Sequence, residues 1–173
     1  VPLHAGSFVR DVAGGMRFEG TKDDGATLYF VGIGPSPAHP AAPGTSASGG
    51  GANAIDPAIR QIQLIEDMTK ESLVLYGDSS KPGLYLQYQR RAPNNWSTPH
   101  YHPIDRVVMV MGGTMRIGTG PTGDKTTTVA VPKGGFIHDI ARGVHYDGSG
   151  NDPMWILTAG VGPTGTVNVD PPK

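Results

Sequence analysis

From residue 72 onward the chain is cut into short apolar or alternating stretches, each closed by Gly or Pro after about ten residues. That rhythm is the strongest constraint on the fold. A segment of five to nine residues cannot make a long helix, and one β-branched stretch after another separated by turn residues builds a sandwich or barrel. Strands are expected at Ser72–Tyr76, Leu84–Arg91, His100–His102, Arg106–Met111, Thr114–Ile117, Thr126–Val131, Gly135–Ile140 and Met154–Ala159. The run Gly77-Asp78-Ser79-Ser80-Lys81-Pro82-Gly83 is a turn. With 26 Gly and 16 Pro in 173 residues, the balance of the whole chain also favours many short elements, hence an all-β fold.

The first 58 residues read differently and are expected to form an N-terminal extension to a domain spanning 59–173. Ser7–Val12 and Ala26–Ile33 are predicted strands, the second rich in β-branched and aromatic residues. Residues 35–57 are almost wholly Pro, Ala, Gly and Ser, and read as a long surface loop. Ile59–Met68 has helical spacing at Ile59, Ile62 and Ile65, but IRQIQLI is also strand-like, and a strand is the expectation.

Several function classes are disfavoured at this point. The net charge is −1 with no basic run, so nucleic-acid binding is not expected. The longest apolar run, Val107–Met111, is far too short to cross a bilayer. There is no Cys, which removes disulfides, thiolate ligands and thiol nucleophiles. The chain begins at Val1 rather than Met, consistent with a removed export signal and a periplasmic or secreted protein, though the lack of Cys suits the cytoplasm equally.

Chemistry concentrates at Pro99-His100-Tyr101-His102-Pro103. Strand side chains alternate faces, so His100 and His102 point the same way. Two imidazoles converging from one strand are most of a His-rich metal site, and neutral imidazole suits zinc, copper, iron and nickel. Tyr101, between them, points away from that face. The run from His100 to Gly113 resembles the first motif of the cupin superfamily, in which two His one residue apart precede a Glu and, six residues later, a Gly. The segment Gly134–His145 resembles the second motif in length, with His145 at its ligand position. The turn at 77–83 and the tail at 159–165 are similar to those of small, often exported, single-domain bacterial cupins, so the resemblance covers about residues 59–170.

The resemblance implies a jelly-roll β-barrel with a divalent transition metal (Fe, Cu, Zn, Mn or Ni) held by His100, His102 and His145. It implies a small-molecule substrate and a homodimer. Typical activities are dioxygenation, oxidation, decarboxylation, isomerisation or plain ligand binding, and fold does not choose among them. A mononuclear oxidoreductase of dioxygenase type is the leading expectation. A metal-dependent isomerase, lyase or hydrolase and a non-catalytic small-ligand binder are the alternatives.

Three departures from the motifs matter. Arg106 stands where the Glu is expected, and Ile140 and Arg142 stand where the second motif has Pro and Gly. A guanidinium cannot ligate. At roughly 6 Å and an effective dielectric near 20, its charge would oppose a divalent ion by about 5 kcal/mol. Asp105, Asp139 or an anionic substrate could neutralise it. Alternatively Arg106 turns outward to a surface carboxylate. Asp105 could replace the missing Glu if the strand bulges, and His138 competes with His145 as a ligand. On Leu84–Arg91, the face carrying Tyr85, Gln87, Gln89 and Arg91 is expected to look inward, so that Arg106, Gln87 and Gln89 orient a polar or anionic substrate. Trp96 is open to stacking on a substrate or to simple packing, and Met109 and Met111 to core or dimer packing.

Overall fold

A computed structural model describes residues 2–4, 6–11, 19–35, 39–40, 42, 60–63 and 71–170. The chain divides into two compact units, Val1–Thr69 and Lys70–Lys173. The expected boundary near residue 58 lies outside the described residues, as does most of the Pro/Gly/Ser-rich loop.

In the first unit, β1 (Phe8–Asp11) pairs antiparallel with β2 (Arg60–Gln63), Phe8 opposite Gln63. Both strands fall within predicted stretches; residue 59 and residues 64–68 of the second stretch are not described. The strand expected at Ala26–Ile33 is absent, and the stretch has no regular structure. Leu28, Tyr29, Phe30 and Ile33 are all exposed. Strand propensity is the capacity to pack on a pleated, half-buried surface, and among the described residues no ladder gives this stretch one.

The second unit consists of two five-stranded antiparallel sheets. One has the order β3 (Ser72–Tyr76), β4 (Gly83–Arg91), β11 (Met154–Gly162), β6 (Arg106–Gly112), β9 (Phe136–Asp139). The other has the order β12 (Val167–Asn168), β5 (His100–Tyr101), β10 (His145–Ser149), β7 (Thr114–Thr119), β8 (Val129–Pro132). No ladder among the described residues joins the sheets into a closed cylinder. The predicted Thr126–Val131 strand is shorter than expected. A 3-10 turn takes Lys125–Thr127, capped by Asp124, whose carboxylate accepts from Thr126 N, and the strand starts at Val129.

The core lies between the sheets. Val108 and Val110 of β6 and Met154 and Ile156 of β11 meet Met115 of β7, with Ile117, Val131 and Ile137 around them. Alternation explains the choice: Val108 and Val110 share one face of β6, and Met109, buried, is on the other. At the β6–β7 turn, Gly113 has φ +69°, and a Cβ there would lie 2.2 Å from the Pro153 carbonyl oxygen, so the hairpin demands Gly. At the other end of β4, the turn at 77–83 is closed by Asp78, whose carboxylate accepts from Ser80 N and Ser80 Oγ.

Candidate metal centre

His100 opens β5 and His145 opens β10, and the two are directly opposite in the ladder. His102 follows two residues after His100 on the same face. The ladder and the alternation therefore bring together rings separated by more than forty residues of chain. Ring centroids are 4.4 Å apart for His100 and His145, 5.0 Å for His100 and His102, and 5.5 Å for His102 and His145. All three side chains are buried.

Each ring is oriented by a backbone carbonyl. Nδ1 of His100 donates to Thr98 O at 2.8 Å, that of His102 to Gly165 O at 2.8 Å, and that of His145 to Gly143 O at 2.9 Å. A carbonyl can only accept, so the proton sits on Nδ1 and Nε2 carries the free lone pair. One ligand atom from each ring lies within 4.8 Å of the others. The Nε2 atoms of His102 and His145 are buried with no hydrogen-bond partner. A buried acceptor without a partner is costly, and two such acceptors grouped with the ring of His100 fit a bound cation.

The electrostatics keep the rings ready for metal. Burial, and next the charge of Arg106, lower the His102 pKa to about 4. Burial also lowers that of His100, with His145 adding to the effect. Both rings are neutral at pH 7, the form that ligates.

Arg106 turns inward. It lines a cavity of about 210 Å³ together with Gln89, Arg91, His100, His102 and Asp147. Its Nε donates to Asp139 Oδ2 at 2.7 Å, across the β6–β9 ladder, and Asp139 is buried. The neutralising group is therefore Asp139. Asp105 is exposed on the outside instead, where its carboxylate accepts from Ala141 N and pairs with His138 at 3.0 Å. That contact keeps both Asp105 and His138 away from the centre, and leaves His145 as the histidine of the second motif that joins His100 and His102. A second ion pair, Arg91 with buried Asp147 at 2.6 Å, borders the same cavity.

Gln89 lines the cavity, whereas the Gln87 amide donates to Ser72 Oγ at 2.8 Å and is not among the lining side chains. Trp96 is a packing residue: its bridge to Gly148 brings the ring so close that a Cβ on Gly148 would lie 2.5 Å from it. Lys125 Nζ stands 5.2 Å from the Trp96 ring centroid. Arg142 has φ +62°, the left-handed region, which explains why Gly is the residue the second motif leads one to expect there. Its N–H donates to His102 O at 2.7 Å, so this strained turn holds the backbone of one of the three clustered histidines.

Asp147 was not foreseen. It lies on β10, which the sequence did not announce because His145-Tyr-Asp-Gly-Ser reads as a polar turn. Its only signal was the alternation that places residue 147 on the same face as His145.

Two facing antiparallel sheets, with three imidazoles gathered from β5, the residue after it, and β10, decide the architecture. This two-sheet architecture is the one that the resemblance to cupins leads one to expect. Comparison with solved structures finds the following similarities. The polyketide cyclase RemF from Streptomyces resistomycificus shares 21% identity over 60% of this chain and 75% of its own, with a TM-score of 0.49. The DMSP lyase DddQ from Ruegeria pomeroyi shares 14% over 59% of this chain and 52% of its own, with a TM-score of 0.49. A cupin 2 conserved barrel domain protein from Leptotrichia buccalis shares 18% over 58% of this chain and 48% of its own, with a TM-score of 0.48. The match thus spans about half the length of the last two. No family model and no curated protein matches the sequence.

Proposed function

We propose that this cupin-like chain is a mononuclear metal-dependent enzyme that oxidises a small polar or anionic molecule. The observation that carries the reading is the set of three buried imidazoles, each locked by a carbonyl at Nδ1 with Nε2 turned inward. His100, His102 and His145 would hold the ion. Iron or copper bound there would supply electron transfer to oxygen and polarisation of the substrate.

The protein's own part is orientation and dryness. The Arg106 guanidinium presents donors to the cavity and suits a carboxylate or similar anion. Gln89 adds an amide beside it, and Val108 and Ile156 keep part of the wall apolar. At about 210 Å³ the cavity fits a small metabolite rather than a polymer. Assembly as a homodimer and a location outside the cytoplasm belong to the same proposal.

The test is elemental analysis of the full chain purified without added metal, then reloaded with each of iron, copper, zinc, manganese and nickel. Close to one equivalent of iron or copper retained per chain supports oxidation. Zinc retained in preference to both moves the chemistry to Lewis-acid isomerisation, elimination or hydrolysis. Failure to retain any of the five overturns the metal reading and leaves a small-ligand binder.

A further inference from the structure

The three imidazoles contribute no charge, yet the pocket already contains the guanidinium of Arg106. A divalent ion at the rings would add two positive charges to a buried site whose guanidinium is already ion-paired, and such charge needs an anion close to it. Two buried carboxylates stand near it, Asp147, which pairs with Arg91, and Asp139. Oδ2 of Asp139 is 2.7 Å from Arg106 Nε and 3.9 Å from His102 Nε2, the nitrogen left without a partner. Its Oδ1 is 3.3 Å from His145 Nδ1. One carboxylate thus touches the cation of the pocket and two of the three rings.

Its placement follows from the ladder. Asp139 is the last residue of β9 and the register partner of Arg106, and both side chains turn inward. On the same strand, His138 points out and pairs with Asp105. Alternation gives Asp139 to the centre and His138 to the surface.

We propose that Asp139 is the anionic member of the metal centre, acting directly on the bound ion as well as holding Arg106. This rests on the metal reading above, and deepens it by adding a charged group to a neutral ligand set. Two roles are separable. If Asp139 only restrains Arg106, its charge is irrelevant once Arg106 is neutral. If it acts on the ion, the charge counts in either background.

The experiment uses the full chain stripped with a chelator, then titrated with zinc or cobalt(II) ions alone against a chromophoric competitor. Four proteins are compared: wild type, R106Q, D139N and the R106Q/D139N double variant. The deciding pair is R106Q and the double variant, because neither leaves a buried guanidinium without its partner. We expect the double variant to bind zinc at least tenfold more weakly than R106Q and to show an altered cobalt(II) visible spectrum. Should R106Q fail to fold, R106M and the R106M/D139N double variant replace that pair, with the same outcomes expected. Equal affinities and spectra for R106Q and the double variant would mean that Asp139 acts only through Arg106, and would overturn the inference while leaving the metal reading intact. A wild type that binds neither ion overturns both.

Discussion

Arg106 faces Asp139 directly across the β6–β9 ladder, and the guanidinium Nε donates to the carboxylate at 2.7 Å. The pair converts a cation that would repel a metal into a neutral, hydrogen-bonded unit. Its side chains are 18% and 7% exposed, so each partner depends on the other to be tolerated away from water.

Removing one partner therefore costs more than removing both. Asp139→Ala is expected to destabilise the metal-free protein by about 3 kcal/mol, because it strands a largely buried charge. The Arg106→Met, Asp139→Leu double variant should lose less than the single one. Urea unfolding of the chelator-treated proteins gives both values. A single-variant loss no greater than that of the double variant would show that the pair is not coupled.

The ligand set is expected to be separable from the fold. His145→Ala should abolish metal retention, measured by elemental analysis, while the far-UV circular dichroism stays that of a β protein. The reason is spatial. The cluster of Val108, Val110, Met115, Met154 and Ile156 supplies the main burial and includes no ligand. Met154→Ala should do the reverse, costing about 3 kcal/mol of stability through lost burial and a cavity, with zinc affinity unchanged.

Stability of the metal-free protein should fall on acidification. His102 has a folded pKa of about 4, below its ordinary 6.5, and burial lowers His100 as well. Between those values the unfolded chain binds more protons than the folded one, so acid favours unfolding. The stabilising contribution of the neutral rings is complete above pH 6.5 and is lost as the pH falls toward 4. The urea midpoint of chelator-treated protein, followed from pH 8 to pH 4.5, should drop through that window. A histidine proton titration by NMR should place His102 at the low end. A midpoint that is flat, or a His102 titration near 6.5, would contradict the burial of the ring.

Arg142 occupies a left-handed position, φ +62°, which a side chain tolerates poorly. Arg142→Gly is expected to raise stability by about 0.5–1 kcal/mol, the relief of strain exceeding the added freedom of the unfolded chain. Because the Arg142 N–H donates to His102 O, the substitution keeps that contact and should leave metal affinity in place. A loss of stability would mean that the guanidinium makes contacts worth more than the strain.

What the sequence disclosed, and what it withheld, divides along physical lines. Strands such as Gly83–Arg91 and Arg106–Gly112 were legible because both carry residues suited to a pleated surface and end at Gly or Arg-Ala-Pro punctuation. His100 and His102 were legible because a period of two fixes a shared face. The strand His145–Ser149 was not, since its Asp, Gly and Ser have turn chemistry and become strand only through the ladder with β7 and the bridge to Trp96. Ala26–Ile33 failed in the opposite sense, with strand-like residues that join no ladder among the described residues. Arg106 could be weighed only in outline. Asp139 and Asp105 were both within reach along the chain, and the register of β6 with β9 is what assigns one inward and one outward.

The ring of His102 is tied at Nδ1 to the carbonyl of Gly165, in the tail that precedes β12. That short strand has only the ladder partners Tyr101 and His100, in a strand of two residues. The segment around Gly165 thus fixes the tautomer of a ring 63 residues earlier. With Nδ1–H held by Gly165 O, the lone pair of the imidazole is left on Nε2, the buried nitrogen without a partner.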